Sequence, residues 1–287
     1  MSTLIVAEIP AFLNDEYMPL EACQISPLDR GFIFGDGVYE LIPVYDRKAF
    51  CLQPHLVRLA RSLEQVHIQN PYTRKQWEGI VENLIRQSNC IDLAVYIQVT
   101  RGIAPRDHGF PENTSPTVFA MANLLADIAD EQLQKGVALN IVKDTRWQRC
   151  DIKVIDLLPN VLAKQSALQA GAAEAIMVRD GFALEGSSSN LFVVRDGEVF
   201  THPKNNLILP GITRDVILEL LGVLGQKCHE QAIPENWLYE ADELWITSSA
   251  KGILAATTVN QCPVGNGAPG KLWKDVYDLY QQRKLLG

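Results

Sequence analysis

The chain has 287 residues, of which 47% are hydrophobic, so it is long enough to form one large domain or two ordinary ones. It carries 34 acidic and 26 basic residues, which gives a formal net charge of −8. This balance excludes the strongly basic surface that nucleic acids and anionic membranes select. We therefore expect no nucleic acid and no membrane among its partners.

The six cysteines are scattered along the chain without the CxxC spacing of a zinc site. They indicate reduced packing residues in a cytoplasmic protein, and we expect no metal. The N-terminal stretch MSTLIVAEIPAFLND has no basic segment before its short apolar part, so it predicts a first strand and not a signal peptide. No run is apolar for long enough to span a bilayer.

The first third of the chain predicts strands followed by helices. Residues 37–45 and 49–52 flank the turn Asp-Arg-Lys and predict a β-hairpin. Apolar residues recur at helical spacing in 55–63 and again in 75–87. Two further strands are predicted at 93–101 and 117–122.

A polar stretch at 126–136 predicts a linker between an N-terminal domain, 1–125, and a larger C-terminal domain, 137–287. The C-terminal domain mixes strands and helices without strict alternation, which favours two α+β domains over a doubly wound sheet. Its predicted strands are 137–142, 175–178, 190–194 and 243–249. Its predicted helices are 160–171, a helix that is opened by the LPGITRD segment and runs through 216–224, and 273–283.

Lys153 lies in an apolar run, with Ile152 and Val154 on either side. Lysine is seldom buried, so either its stem carries the amine to solvent or the protein weakens the amine's hold on its proton. Strand-like neighbours on both sides would leave Lys153 little solvent, whereas Lys164 lies on the polar face of a predicted helix. The two interpretations of Lys153 have equal support from its own surroundings.

The segment ALEGSSSNLFVV places Glu185 before a glycine and three serines. These residue types favour an ordinary hairpin loop. The functional alternative is a carboxylate held beside small hydroxyl groups, where it can pair with a cationic ring nitrogen.

The segment LILPGITRD begins a predicted helix whose first amides belong to Ile212 and Thr213. A helix start of this kind binds phosphate through its free N–H groups, although Pro-Gly and Thr also suit an ordinary helix start.

The segment RGIAPRDHGFPENT predicts a loop in which Arg106 and His108 lie two residues apart. In an extended backbone this spacing points both side chains the same way, where arginine grips a carboxylate and histidine adds a donor. The alternative is a solvated loop arginine. The other histidines, among them His55 and His67, have no comparable neighbours and are interpreted as structural.

Together these segments resemble the fold-type IV pyridoxal phosphate enzymes, and among them the aminotransferases of D-amino acids. The resemblance covers nearly the whole chain, from DRGFIFGDGVYE to the WITSS segment, and its specific motifs are RCDIK, EGSSSN, THPxNNxILxGITR and PRDHxFPENT. It implies an α+β fold of two domains: a small N-terminal α/β domain, and a larger C-terminal domain with a barrel-like sheet and flanking helices. It also implies pyridoxal 5'-phosphate as the cofactor.

The resemblance assigns roles to single residues. Lys153 matches the lysine that carries the cofactor as a Schiff base and moves the substrate's α-proton, and Glu185 matches the acid that pairs with the pyridine nitrogen. Tyr39, Arg106 and His108 match the residues that bind the substrate carboxylate, the last two reaching across from the partner subunit of a homodimer. The remaining cofactor-binding residues are implied to be Arg58, Leu209, Ile212, Thr213, Ser248 and Ser249.

The implied reaction moves the amino group of D-amino acids such as D-alanine to a 2-oxo acid such as 2-oxoglutarate, by a ping-pong mechanism. Alternatives on the same fold are a branched-chain L-amino acid aminotransferase and an aminodeoxychorismate lyase, and PRDH favours the D-amino acid enzymes. A cofactor-free small-molecule binding module is the alternative from another class of protein. One departure is Pro43, which stands where the resembled D-amino acid enzymes have a lysine.

Overall fold

The computed structural model describes residues 9–286. Residue contacts divide the chain into two units. The first contains the described residues through Ala126 together with Ile152–Asp156, and the second contains Asp127–Asp151 and Leu157–Leu286. Lys153 is therefore grouped with the N-terminal unit, although the sequence places it in the predicted C-terminal domain. The beginning of the predicted first strand, residues 1–8, lies outside the described residues.

The first unit is built on one antiparallel sheet with strand order β2-β1-β6-β5-β3-β4. Its elements are β1 (Pro10–Leu13), β2 (Glu16–Pro19), α1 (Arg30–Phe34), β3 (Gly37–Tyr45), β4 (Lys48–Ala49), α2 (Leu52–Gln65), α3 (Arg74–Gln87), β5 (Leu93–Thr100) and β6 (Thr117–Leu124).

The core of the first unit follows from alternation along β3 and helical spacing along α2 and α3. Val38 and Ile42 are fully buried and belong to one apolar cluster with Leu59 of α2 and Leu84 of α3. Side chains of a strand alternate between the two faces, so Tyr39 lies on the opposite face, where it is half-buried. α3 begins with a capping box at Thr73, which satisfies amides of its first turn.

The predicted strand at 49–52 is wrong beyond Ala49. Cys51 has a left-handed φ of 52°, and α2 begins at the next residue. A residue in this conformation turns the chain out of an extended path. The chain reverses close to β3, since the Phe50 amide donates to the carbonyl of the buried Pro43 at 2.8 Å.

The second unit is built on a ten-stranded sheet with strand order β12-β11-β10-β14-β15-β7-β8-β9-β13, to which β16 adds beside β15. Its elements are α4 (Asp130–Lys135), β7 (Val137–Lys143), α5 (Leu158–Gln169), β8 (Glu174–Arg179), β9 (Phe182–Gly186), β10 (Asn190–Arg195), β11 (Glu198–Thr201), α6 (Ile212–Val223), β12 (Cys228–Glu230), β13 (Ile233–Pro234), α7 (Trp237–Glu240), β14 (Glu243–Ser248), β15 (Gly252–Val259), β16 (Cys262–Pro263) and α8 (Lys271–Leu286).

Six strands of this sheet close into a ring. β9 pairs with β10 through Glu185 and Asn190, so the path β10-β14-β15-β7-β8-β9 returns to its start. Leu191, Leu244 and Leu254 fill the adjoining core. The ring confirms the predicted barrel-like sheet of the C-terminal domain. Among residues 9–286, no helix has the length and the hydropathy needed to cross a bilayer.

The sequence analysis did not predict β9 and β15, which belong to the ring, or β11, which lies beside β10 at its border. β15 is an apolar run, Gly252–Val259, that is buried along almost all of its length. A strand buried on both faces loses the alternation that identifies strands in a sequence. Within the predicted linker, Asp130–Lys135 forms α4, which ends at Gly136 with a φ of 72°.

Candidate active site

Lys153 lies in an extended segment that follows the side of β3. Its carbonyl accepts from the Tyr39 amide at 2.9 Å, and the next residue, Val154, forms a bridge with Val38. The side chain is half-buried, and its Nζ atom lies 4.0 Å from the centre of the Tyr39 ring. Strand-like surroundings on both sides are not found, because the pairing is limited to this one bridge. The structure therefore brings Lys153 and Tyr39 together.

Arg58 lies on the buried face of α2, where it forms a two-pronged ion pair with Glu40 of β3. Arg58 Nε lies 2.7 Å from Glu40 Oε1, and Nη2 lies 2.9 Å from Oε2. His55 Nδ1 approaches the same carboxylate at 2.8 Å. Burial alone would raise the pKa of Glu40, but the charge and hydrogen bonds of Arg58 outweigh it and hold that pKa well below its usual range.

The sequence analysis missed Glu40 and interpreted His55 as structural. The signal available for Glu40 was its position between Val38 and Ile42, on the face of β3 that should be apolar. A carboxylate on that face requires a buried partner. Burial holds the pKa of His55 below its ordinary value even though the bond to Glu40 raises it, so His55 is neutral at pH 7.

Arg106 and His108 are exposed on the loop that joins β5 to β6. The Phe34 ring of α1 lies next to both, 5.3 Å from the Arg106 guanidinium carbon and 5.4 Å from the centre of the His108 ring. The two side chains that the sequence places on one side of this loop thus contact the same aromatic ring.

Glu185 lies in β9 and is 4% exposed. Its carboxylate pairs with Arg146, accepts from Asn190 Nδ2 at 3.0 Å, and accepts from the Leu209 amide at 3.0 Å. Burial raises the pKa of Glu185 to about 7, against the opposing effect of the Arg146 charge. Arg146 is itself held by Asp144 at 3.0 Å. The site therefore holds a buried carboxylate that Arg146, Asn190 and the Leu209 amide keep in one orientation.

The three serines after Glu185 bind a different carboxylate. Their hydroxyl groups donate instead to Glu174 at the start of β8. Ser187 makes the shortest of these bonds, Ser188 Oγ lies 2.9 Å from Glu174 Oε2, and Ser189 Oγ lies at 3.4 Å. Glu174 is buried and therefore fixes the turn between β9 and β10.

The N-terminus of α6 lies beside Glu185 in the second unit. Its N-cap is Gly211, which has no side chain to bind the first amides, and Ile212 and Thr213 of the first turn are buried. A Cβ atom at Gly211 would overlap the side chain of Asn190, so glycine is required for this close approach. Asn190 links the two features, since its Nδ2 donates to both Glu185 and the Leu209 carbonyl.

Ser248 ends the neighbouring strand β14, Ser249 follows it, and both are half-buried. Ser248 Oγ accepts from the Lys251 amide at 3.2 Å. One residue earlier, Thr247 pairs in register with Asn190 of β10. Within residues 9–286 the buried Thr247 hydroxyl finds no hydrogen-bond partner. Hydroxyl groups, helix amides and the Glu185 carboxylate thus lie on adjoining elements of the second unit.

Known proteins resemble this chain along nearly its whole length. The sequence profile of the amino-transferase class IV family matches residues 37–259. The chain is 38% identical to a D-alanine aminotransferase of Bacillus licheniformis, over 95% of this chain and 96% of that protein. It superimposes on the branched-chain amino acid aminotransferase of Escherichia coli with a TM-score of 0.91 at 25% identity, covering 95% of this chain and 93% of that one. It also superimposes on the branched-chain aminotransferase of the archaeon Thermoproteus uzoniensis with norvaline, with a TM-score of 0.86 at 25% identity and coverage of 96% and 94%. The chain belongs to the class IV aminotransferase family.

Proposed function

We propose that the protein is a pyridoxal phosphate-dependent aminotransferase that moves the amino group of D-amino acids such as D-alanine to a 2-oxo acid such as 2-oxoglutarate. The observation that carries the choice of substrate is the pairing of Arg106 with His108 against the Phe34 ring. A guanidinium beside an imidazole suits an α-carboxylate, which accepts charge-assisted hydrogen bonds from both. The D-alanine aminotransferase relatives, 35–38% identical to this chain, support the same choice.

The residues of the two units fit the cofactor of this family, pyridoxal 5'-phosphate. The uncapped N-terminus of α6, with Ile212 and Thr213, suits its phosphate, as do the hydroxyl groups of Ser248 and Ser249. The unpartnered Thr247 hydroxyl is a further polar group beside them. Glu185 suits a ring nitrogen that carries a proton, and Leu209 is the apolar residue that we assign to the face of the ring. Arg58 supplies a fixed positive charge in the first unit.

When bound, this cofactor supplies an electron-withdrawing ring that stabilises negative charge on the substrate's α-carbon. The chain's own residues then have separate tasks. Lys153 would hold the cofactor through its amine, and the same amine would move the substrate's α-proton. The Glu185 carboxylate holds a proton on its partner nitrogen, and its fixed hydrogen bonds keep it oriented. Tyr39, close to Lys153, helps to bind the carboxylate.

We also propose that the enzyme acts as a homodimer in the cytoplasm. Arg106 and His108 are exposed on this chain, as expected of residues that complete the site of a partner subunit. Two half-reactions at one site, the first releasing a 2-oxo acid before the second substrate binds, predict ping-pong kinetics.

The second candidate function is a branched-chain L-amino acid aminotransferase, which is favoured by the TM-score of 0.91 to the Escherichia coli enzyme. An aminodeoxychorismate lyase is a further alternative on this fold, and it would need no amino acceptor. A cofactor-free binding module is disfavoured because the chain has Lys153, Glu185 and the uncapped α6 N-terminus together.

The visible absorbance of the purified, cofactor-loaded protein separates these functions. D-Alanine is expected to abolish the cofactor's visible band, and 2-oxoglutarate to restore it, while L-leucine leaves the band unchanged. Loss of the band with L-leucine and not with D-alanine would establish the branched-chain function instead. Pyruvate release from aminodeoxychorismate would indicate the lyase, and protein that binds no pyridoxal phosphate would indicate the binding module.

A further inference from the structure

Arg30, the first residue of α1, binds the backbone of the loop that carries Arg106 and His108. Arg30 Nη1 donates to the Asp107 carbonyl at 2.6 Å and to the Gly109 carbonyl at 3.2 Å. These two carbonyls flank His108 on either side along the chain. Arg30 is 4% exposed, whereas Arg106 and His108 are both exposed. The buried Arg30 side chain therefore fixes the backbone of the segment that carries the exposed Arg106 and His108.

Arg30 is fixed in its turn by Asp36, at the end of the turn that follows α1. Asp36 Oδ2 lies 2.8 Å from Arg30 Nε and 2.8 Å from Arg101 Nε. Burial would raise the pKa of Asp36, but its bonds to the two arginines outweigh this and lower it, so the carboxylate stays charged. Arg101 also donates to the carbonyls of Val66 and His67, which ties the ion cluster to the end of α2.

The same arginine cluster contacts two aromatic rings, one on α1 and one within the loop. Phe34, one helical turn after Arg30, lies 4.9 Å from the Arg30 guanidinium carbon and also contacts Arg106 and His108. Phe110, beyond His108, lies 3.7 Å from the Arg101 guanidinium carbon. The middle of the loop, from Arg106 to Phe110, thus rests on one set of cations and rings.

We propose that Arg30 is a positioning residue for substrate recognition, which acts by fixing the loop so that Arg106 and His108 are pre-organised to bind the substrate carboxylate. The proposal rests on the proposed function. A loop held in its binding conformation before the substrate arrives loses less conformational entropy on binding, so its affinity for the carboxylate is higher. Arg30 touches neither the carboxylate nor the reacting atoms in this scheme, and Phe34 acts with it as the surface against which the two side chains lie.

The test compares Arg30→Lys and Phe34→Leu with the wild-type holoenzyme in steady-state transamination of D-alanine and 2-oxoglutarate. Lysine keeps a positive charge opposite Asp36 but lacks the planar fork that donates in several fixed directions. Leucine keeps an apolar side chain and leaves the Arg30–Asp36–Arg101 ion cluster in place. The matched control is Arg195→Gln, which removes an arginine paired with Glu240 at 2.8 Å in the second unit.

Both substrates present a carboxylate, so in each loop variant the KM values of both are expected to rise by about tenfold, with kcat changed by less than about threefold. Arg195→Gln is expected to match the wild-type enzyme. KM values within about twofold of wild type in folded variants would overturn the proposal, whatever happens to kcat. If Arg30→Lys does not fold, Phe34→Leu decides the outcome alone. A wild-type enzyme that does not transaminate D-alanine would instead overturn the proposed function, and the positioning role with it.

Discussion

Replacing Glu40 with glutamine should destabilise the first unit strongly, because it leaves the Arg58 charge buried without its counter-charge. Glu40 is 0% exposed, and the carboxylate oxygens lie 2.7 and 2.9 Å from the Arg58 nitrogens. Removing one partner of a buried pair costs about 3–5 kcal/mol, and the amide that remains can still accept one hydrogen bond. We expect a loss near the lower limit, about 3 kcal/mol, or a drop in Tm of roughly 6–12 °C.

The assay is urea and thermal unfolding of the cofactor-free protein, so that the proposed contact between Arg58 and the phosphate does not contribute. Glu82→Gln, an exposed change on α3, is the matched control. The double variant Glu40→Gln, Arg58→Met removes both charges, so it should be more stable than Glu40→Gln alone by at least about 1 kcal/mol. A loss under about 1 kcal/mol for Glu40→Gln, or single effects that simply add in the double variant, would refute the reasoning.

Three further predictions concern pH and packing. Burial keeps the pKa of His55 below its ordinary value, so the unfolded chain takes up a proton that the folded chain does not. The free energy of unfolding should therefore fall as pH falls below about 6.5, and it should fall less in His55→Gln. Urea unfolding between pH 5 and 8 measures this, and equal slopes of the free energy of unfolding against pH in the two proteins would contradict it. Arg146 lowers the pKa of Glu185. Arg146→Gln should therefore move the acidic limb of the kcat/KM profile to higher pH, and Arg146→Lys should move it less; an unmoved limb would show that Glu185 does not control it. A Cβ atom at Gly31 would overlap the Thr100 methyl group. Gly31→Ala should therefore lower the free energy of unfolding by about 1–3 kcal/mol, as measured by thermal unfolding, and Thr100→Ser should restore part of that loss. An unchanged free energy of unfolding in Gly31→Ala alone would show that β5 shifts readily to make room for the methyl group.

The sequence predicts those elements in which one face differs from the other. The alternation of β3 and the helical spacing of α2 and α3 are visible because each element is buried on one side only. β15 is buried on both sides and shows no period, so nothing local identifies it. The strand predicted at 49–52 failed at Cys51, since a left-handed residue other than glycine or asparagine gives little warning in the sequence.

The candidate site likewise contains residues that the sequence predicts and residues that it does not. Lys153, Glu185, Arg106 and His108 are predicted from the sequence because they stand in specific motifs. Their partners are not found, because a hydrogen bond between distant residues depends on the register of the fold. Glu174 shows this most clearly: nothing in the segment EGSSSN indicates that its serines bind a carboxylate at the start of another strand.

The closure of the β10-β14-β15-β7-β8-β9 ring has a consequence for the order in which the second unit folds. The pair that closes it, Glu185 with Asn190, joins neighbouring residues of one hairpin, whereas the pairing of β15 with β7 joins Ala256 to Val137 from opposite ends of the unit. Contacts between residues close in the chain form faster than those that must first close a long loop. The β9–β10 hairpin that carries Glu185 should therefore form early, and the pairing of β7 with β15 should form last. A chain that is still being synthesised would then hold Glu185 in its hairpin before β15 has been made.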